Sequence, residues 1–179
     1  GTGFSRCGKL FGWEIEGVVP DIVTFAKGAT NGAAVLGTMV TTQEIAEKSF
    51  EKAFLVSTFG WTPVACAVAT RVLQIHLQEK LWERAEQEGS YLKKRLQNEL
   101  AERKSVDFVN GKGMIVGIHF TKDMRKKELE RIVLRAQRQG LHLVSDHAST
   151  IQLMPPLTIS REILNQGIEI LVSVIQSDE

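Results

Sequence analysis

Short apolar runs with the composition of β-strands alternate along this chain with longer stretches in which apolar residues recur at helical spacing. The first run, residues 22–26, is rich in β-branched residues and predicts a buried strand that ends at Lys27. A second apolar run, residues 33–40, follows a turn signal at residues 31–32. This alternation predicts an α/β fold.

Four helices are predicted, beginning at Pro63, near Leu81, near Asp123 and near Ser160. Thr62 is suited to cap the first of them, and a proline in the first turn costs no hydrogen bond. The inward face of that helix is predicted to consist of Val64, Ala67, Val68, Val72 and Ile75. The second helix is predicted to bury Leu92, Leu96 and Leu100. The last is predicted to bury Ile163, Leu164, Ile168, Leu171 and Ile175.

The second half of the chain has a different pattern, in which short strands are mixed with helices. Strands are predicted at residues 106–109, 114–120, 141–145 and 150–154. Together with the helices they predict a compact α+β unit. We therefore predict two domains, βα material at residues 1–79 and a small α+β domain at residues 80–179.

Composition excludes several classes of protein. The 179 residues include 22 Lys and Arg and 21 Asp and Glu, and this near-zero net charge argues against nonspecific binding to nucleic-acid phosphates. No apolar run approaches the roughly 18 residues that would span a membrane, so we expect a cytoplasmic protein with no membrane partner. Cys7 and Cys66 form no C-x-x-C motif and predict reduced thiols. The adjacent pair Asp146 and His147 offers too few ligands for a metal site, and we expect no metal.

Lys27 and Thr58 are the side chains best suited to chemistry. A lysine at the end of a buried strand would lose hydration, and its neutral amine could attack a carbonyl. The alternative is a lysine whose charged head simply reaches solvent. The Thr58 hydroxyl, in a loop just before a helix, could donate to a phosphate oxygen, or it could be an ordinary loop or capping residue.

Five segments, in the same order along the chain, resemble the class III (omega) pyridoxal-phosphate-dependent aminotransferases. They are residues 3–11, 20–28, 57–63, 111–114 and 154–159. The resemblance implies that Lys27 forms a Schiff base with pyridoxal 5'-phosphate. It also implies that Thr58 binds the phosphate of the cofactor held by the neighbouring subunit of a homodimer.

The resemblance further implies a fold and an incomplete subunit. The fold is the C-terminal part of the large domain of a fold-type I transferase that depends on pyridoxal phosphate, plus a small C-terminal α+β domain. The whole subunit would be about twice as long as this chain. In the family an acidic pair usually stands just before the position of Gly1, and its aspartate keeps the pyridine nitrogen of the cofactor protonated.

Three positions depart from the family pattern. Ser5 and Cys7 replace the more usual glycine and threonine. Many amino-acid-specific members have an arginine for the substrate carboxylate three residues before the Pro-Pro pair, and this chain has Gln152 there. A glutamine can hydrogen-bond a substrate but carries no charge, and it could equally be a polar residue on a strand face.

The resemblance thus implies an enzyme that transfers an amino group between an amine or amino acid and an oxo acid through a Lys27 Schiff base. The chain by itself is expected to be inactive. Two alternatives stay open at this point. One is an aminomutase of the same fold that also depends on pyridoxal phosphate, and the other is an inactive dimerising module that binds the cofactor.

Overall fold

The computed structural model describes residues 1–53, 56–124, 126–146 and 149–177. His147 lies outside these ranges. The chain divides into two units, Gly1–Trp82 and Glu83–Glu179. Within the described ranges, no helix combines the length and the apolar character that crossing a membrane requires.

The first unit contains a two-stranded antiparallel sheet. Strand β1 (Ile22–Phe25) pairs with β2 (Thr38–Thr41), and Phe25 lies opposite Thr38. Both predicted strands are confirmed, although the second covers only the end of the predicted run. The prediction of a buried first strand is wrong for this structure, because Ile22 is 52% exposed. Each strand has only the other as its described neighbour, so the sheet leaves part of both strands open.

Two helices and two short 3-10 turns complete the first unit. The turns are Gly12–Ile15 and Lys27–Ala29, and the helices are α1 (Gln43–Lys52) and α2 (Pro63–Glu79). Thr42 caps α1, since its hydroxyl accepts a hydrogen bond from the Ile45 N–H. Helix α2 contacts the turn Lys27–Ala29, so this helix supports the segment that carries the predicted catalytic lysine.

Helix α2 begins at Pro63 as predicted, but its buried face differs from the prediction. Thr62 occupies the cap position, yet its hydroxyl donates to the Phe59 carbonyl oxygen at 2.8 Å and not to the helix. Val64 is 69% exposed and Ala67 is also exposed, whereas Ala65 and His76 are buried. Hydrophobic spacing identified the helix, but the neighbouring turn and loop decide which side of it is covered.

The second unit is a four-stranded antiparallel sheet with helices. Its first helix, α3 (Leu81–Glu99), starts two residues before the unit. There follow β3 (Val106–Lys112), β4 (Ile115–Phe120), α4 (Lys126–Arg138), β5 (Val144–Ser145), β6 (Thr150–Leu153) and α5 (Arg161–Gln176). The strand order is β3-β4-β6-β5. All four predicted strands and all three predicted helices are present.

The core of the second unit lies between one face of this sheet and the helices. Alternate residues of β4 point into it, namely Val116, Ile118 and Phe120. Leu92, Leu96 and Leu100 are buried as predicted. In α5, Leu164, Ile168, Leu171 and Ile175 are buried. The prediction is wrong for Ile163, which is 52% exposed, because adjacent helical residues point about 100° apart and Leu164 takes the inward direction.

Candidate active site

Lys27 begins the turn that directly follows β1, and its backbone has the left-handed φ of +47°. The ammonium group has no hydrogen-bond or ion-pair partner among the residues that the structure describes, and the side chain is exposed. The expectation of a dehydrated amine is therefore wrong for this structure, because β1 itself is partly open. A Cβ placed on Gly1 would lie 3.8 Å from the Lys27 Nζ, so the chain start runs beside the amine.

Aromatic rings fix the end of β1 that leads to Lys27. The Phe25 ring lies 5.6 Å from the Phe4 ring, 5.1 Å from the Phe11 ring and 5.7 Å from the Trp13 ring, between centroids. Phe11 and Trp13 stack at 4.6 Å. Such ring contacts each contribute roughly 0.5–1.5 kcal/mol beyond area burial. The residue two positions before Lys27 is therefore held by a cluster of aromatic side chains.

A buried hydrogen bond joins the glycine-rich loop to α2. The Ser5 Oγ lies 2.7 Å from the His76 Nδ1, and both residues are buried. Burial, and then the charge of Arg6, lower the pKa of His76, which favours the neutral imidazole. Burial also raises the pKa of the Cys7 thiol, which keeps it protonated.

The Ser5–His76 pair was missed by the sequence analysis, which gave neither residue a role in the site. The available signal was a histidine within the apolar stretch of α2, since such a buried polar side chain needs a partner. Nothing in the sequence identified that partner, which lies 71 residues away.

Thr58 lies in the turn at residues 58–61, ahead of α2. Its side chain is exposed, and its hydroxyl makes no hydrogen bond to another residue in the described ranges. The loop is closed instead by the Gly60 N–H, which donates to the Ser57 carbonyl oxygen at 3.4 Å. The hydroxyl is therefore open to a ligand.

Gln152 lies on β6, opposite Gly117 of β4 and Val144 of β5. Its neighbour Ile151 is fully buried, so the alternation of a strand places Gln152 on the face away from the core, where it is exposed. Gln152 also lines a cavity of about 400 Å³ in the second unit, and the other residues that line this cavity are mostly apolar.

The predicted site residues are distributed over both units. Lys27 and Thr58 belong to the first unit, and Gln152 belongs to the second. In the part of the chain that is described, no three His, Cys, Asp or Glu side chains cluster as metal ligands would. The candidate functional groups are thus the primary amine of Lys27, the exposed hydroxyl of Thr58 and the uncharged amide of Gln152.

Known structures share this fold. A Bacillus anthracis aminotransferase has a TM-score of 0.93 and 32% identity, and the match covers 98% of this chain and 43% of that one. A thermostable (S)-enantioselective omega-transaminase from Thermomicrobium roseum has a TM-score of 0.86 and 38% identity, with 99% of this chain and 42% of that one covered. The fold is therefore that of the α/β aminotransferases, which confirms the predicted fold class.

Sequence comparison identifies the family. The family described as aminotransferase class-III matches residues 1–175. The acetylornithine aminotransferase of Bacillus cereus is 33% identical over 174 residues, which are 97% of this chain and 43% of that protein. The chain belongs to the class III aminotransferases, and it spans less than half the length of the relatives it matches.

Membership in this family identifies the expected cofactor. Class III aminotransferases depend on pyridoxal 5'-phosphate, as the sequence analysis implied. The relatives described above are named aminotransferases or transaminases. They do not favour the aminomutase or the inactive module.

Proposed function

We propose that the protein to which this chain belongs transfers an amino group from an amine or amino acid to an oxo acid, and that Lys27 is the residue that binds the cofactor. The observation that carries the proposal is the position of Lys27. It presents an exposed primary amine on a left-handed turn at the end of β1, in a chain of the class III family.

The residues present fit the cofactor. The exposed Lys27 amine can join an aldehyde. The open hydroxyl of Thr58 can donate to a phosphate oxygen. When bound, pyridoxal phosphate supplies the electron sink for negative charge at the substrate carbon.

Lys27 has two tasks in this proposal. Its Nζ first holds the cofactor covalently. Once free, the same Nζ would take a proton from the substrate carbon as a general base and would then donate that proton as a general acid. No described ion pair has to break before the amine acts.

Thr58 completes the site in a homodimer in this proposal. Its exposed loop lies just before the N-terminus of α2, and there the hydroxyl would donate to the phosphate of the cofactor held by the neighbouring subunit. A cytoplasmic location, expected from the sequence, belongs to the same proposal.

Gln152 contacts the substrate in this proposal. Its exposed amide can donate and accept hydrogen bonds, but it cannot form the charged, two-pronged contact that an arginine makes with a carboxylate. The relatives include an acetylornithine aminotransferase and an omega-transaminase by name. We therefore favour amine substrates whose reacting end is remote from a carboxylate.

Substitution of Lys27 tests the central claim. In the complete protein, Lys27→Ala should abolish the absorption band of the lysine-bound cofactor and reduce transfer by about a thousandfold or more, because it removes both covalent binding and proton transfer. Lys52→Ala, an exposed lysine at the end of α1, is the matched control and should behave as the native protein. A Lys27→Ala protein that keeps the band would overturn the proposal.

A further inference from the structure

The glycine-rich loop has an unusual backbone at two consecutive positions. Phe4 and Ser5 both have left-handed φ values, +51° and +65°. This conformation is unfavourable for residues with a side chain, so other contacts have to hold it. Within the loop, the Ser5 N–H donates to the Leu10 carbonyl oxygen at 3.0 Å, and the Gly8 N–H donates to the Ser5 carbonyl oxygen at 3.2 Å.

A buried hydrogen bond between Ser5 and His76 ties this loop to helix α2. The two atoms are 2.7 Å apart and both side chains are buried. With a neutral imidazole, the Ser5 hydroxyl donates to Nδ1 when the ring proton is on Nε2. Loss of either partner leaves the other as an unsatisfied buried polar group, so the pair resists opening.

The loop in turn contacts both sides of Lys27. The Phe4 ring lies 5.6 Å from the Phe25 ring and 5.8 Å from the His76 ring. A Cβ added to Gly28 would lie only 3.2 Å from the Phe4 Cβ. Phe4 therefore lies between His76 and the segment that carries Lys27, where it contacts Phe25, two residues before the lysine, and Gly28, directly after it.

From this arrangement we infer that His76 and Ser5 are positioning residues for Lys27. Their hydrogen bond fixes the backbone of the loop, the loop fixes Phe4, and Phe4 fixes the turn from which the Lys27 amine projects. The inference rests on the proposed function, which gives Lys27 its task. Neither His76 nor Ser5 is required to touch the cofactor.

The test measures how fast the complete, cofactor-free protein forms the covalent link to pyridoxal phosphate. Absorbance follows the formation of the link, and borohydride reduction then identifies Lys27 as the linked residue. His76→Leu and Ser5→Ala should each slow the link by roughly two- to tenfold, the equivalent of one buried hydrogen bond. The double variant should be no slower than the slower single variant, because both remove one interaction. His76→Asn, whose amide can bond to Ser5, should restore much of the rate.

Two controls separate positioning from general destabilisation. Gln74→Leu changes an exposed residue of the same helix and should leave the rate unchanged. Ser5→Gly removes the hydroxyl but suits the left-handed backbone, so it should fold well and still form the link slowly. Thermal unfolding of each cofactor-free variant shows whether it is folded at the assay temperature.

The outcomes distinguish this inference from the function on which it rests. If folded Ser5→Gly and His76→Leu proteins form the link at the native rate, the positioning role is wrong and the proposed function stands. If rates fall but the double variant is slowed by the product of the single effects, the two residues act separately and the inference is also wrong. If the native protein forms no link at Lys27, the proposed function itself fails.

Discussion

Left-handed backbone at residues with side chains is concentrated near the proposed cofactor lysine. Phe4, Ser5, Lys27 and Asn31 all have φ values between +47° and +65°. Each such residue costs about 1–2 kcal/mol, so the surrounding contacts have to compensate. Strain of this kind is common where a side chain must be aimed for function. At the scale of single residues, the backbone therefore supports the assignment of Lys27.

Gln152 gives a prediction about substrate choice. Replacing it by arginine introduces a charge that can bind a carboxylate in two parallel hydrogen bonds. In the complete protein, Gln152→Arg should raise kcat/KM for α-amino acids relative to terminal diamines by about tenfold or more. Steady-state kinetics with both donor classes measures the ratio. An unchanged ratio would show that Gln152 does not contact the substrate.

His76 gives a prediction about pH. Burial, then Arg6, lower its pKa from the usual 6.5, while Glu79 acts in the opposite direction. Because the folded state lowers the pKa of His76, the unfolded protein binds a proton more readily than the folded protein. The neutral imidazole therefore makes its full contribution to stability above the unfolded-state pKa. This contribution is lost as the pH falls below that pKa. The free energy of unfolding should thus decrease on acidification from about pH 8 to about pH 5.

Comparison with His76→Asn isolates this contribution, because asparagine does not titrate. Urea unfolding of both proteins across that pH range should show a shallower decline for the variant. Parallel declines would mean that other groups cause the acid sensitivity.

At the scale of elements, helix α3 approaches the turn that joins β3 to β4 closely at Gly89. A Cβ placed on Gly89 would lie 1.8 Å from the Gly113 carbonyl oxygen. Since that neighbour is backbone, the helix or the hairpin has to move to accept a methyl group. We expect Gly89→Ala to reduce the free energy of unfolding by about 3 kcal/mol.

Gly167→Ala in α5 is the matched control for this prediction. There the new methyl group would meet only the Leu141 Cδ1, at 3.6 Å, which is ordinary contact. It should be neutral or stabilise by about 0.5–1 kcal/mol, because alanine is the better helix former. Denaturant unfolding measures both variants, and equal effects would contradict the close approach.

Sequence patterns predicted which elements exist better than which surfaces they bury. Leu92 and Leu96 of α3, and Leu100 directly after it, recur every four residues and are buried, as predicted. Val64 and Ile163 belong to equally regular stripes and are exposed. Periodicity records that a face is apolar, whereas burial depends on the element packed against it. For the same reason the sequence located Lys27 at a strand end, but it could not show the Ser5–His76 contact across 71 residues.

At the scale of the whole molecule, the proposed homodimer predicts that two defective subunits can complement each other. Thr58→Ala should reduce transfer by roughly ten- to a hundredfold through the loss of a charged hydrogen bond. If Thr58 serves the neighbouring cofactor, a hybrid of Lys27→Ala and Thr58→Ala subunits contains one native site. Equal mixing should then restore about a quarter of native activity.

The arrangement of the subunits decides the outcome of this mixing experiment. If Thr58 served its own subunit, neither site of the hybrid would be native, and no activity would return. Subunits mixed under conditions that prevent exchange provide the baseline. Size-exclusion chromatography confirms that dimers are present.

The stacked pair of Phe11 and Trp13 has an optical consequence. The indole contacts Phe25, two residues before the amine that is proposed to carry the cofactor. If the cofactor binds Lys27 as proposed, this indole would be near enough to act as a donor for resonance energy transfer to it. We therefore expect tryptophan fluorescence to fall when the cofactor is added to the complete protein, a signal of occupancy that needs no external label.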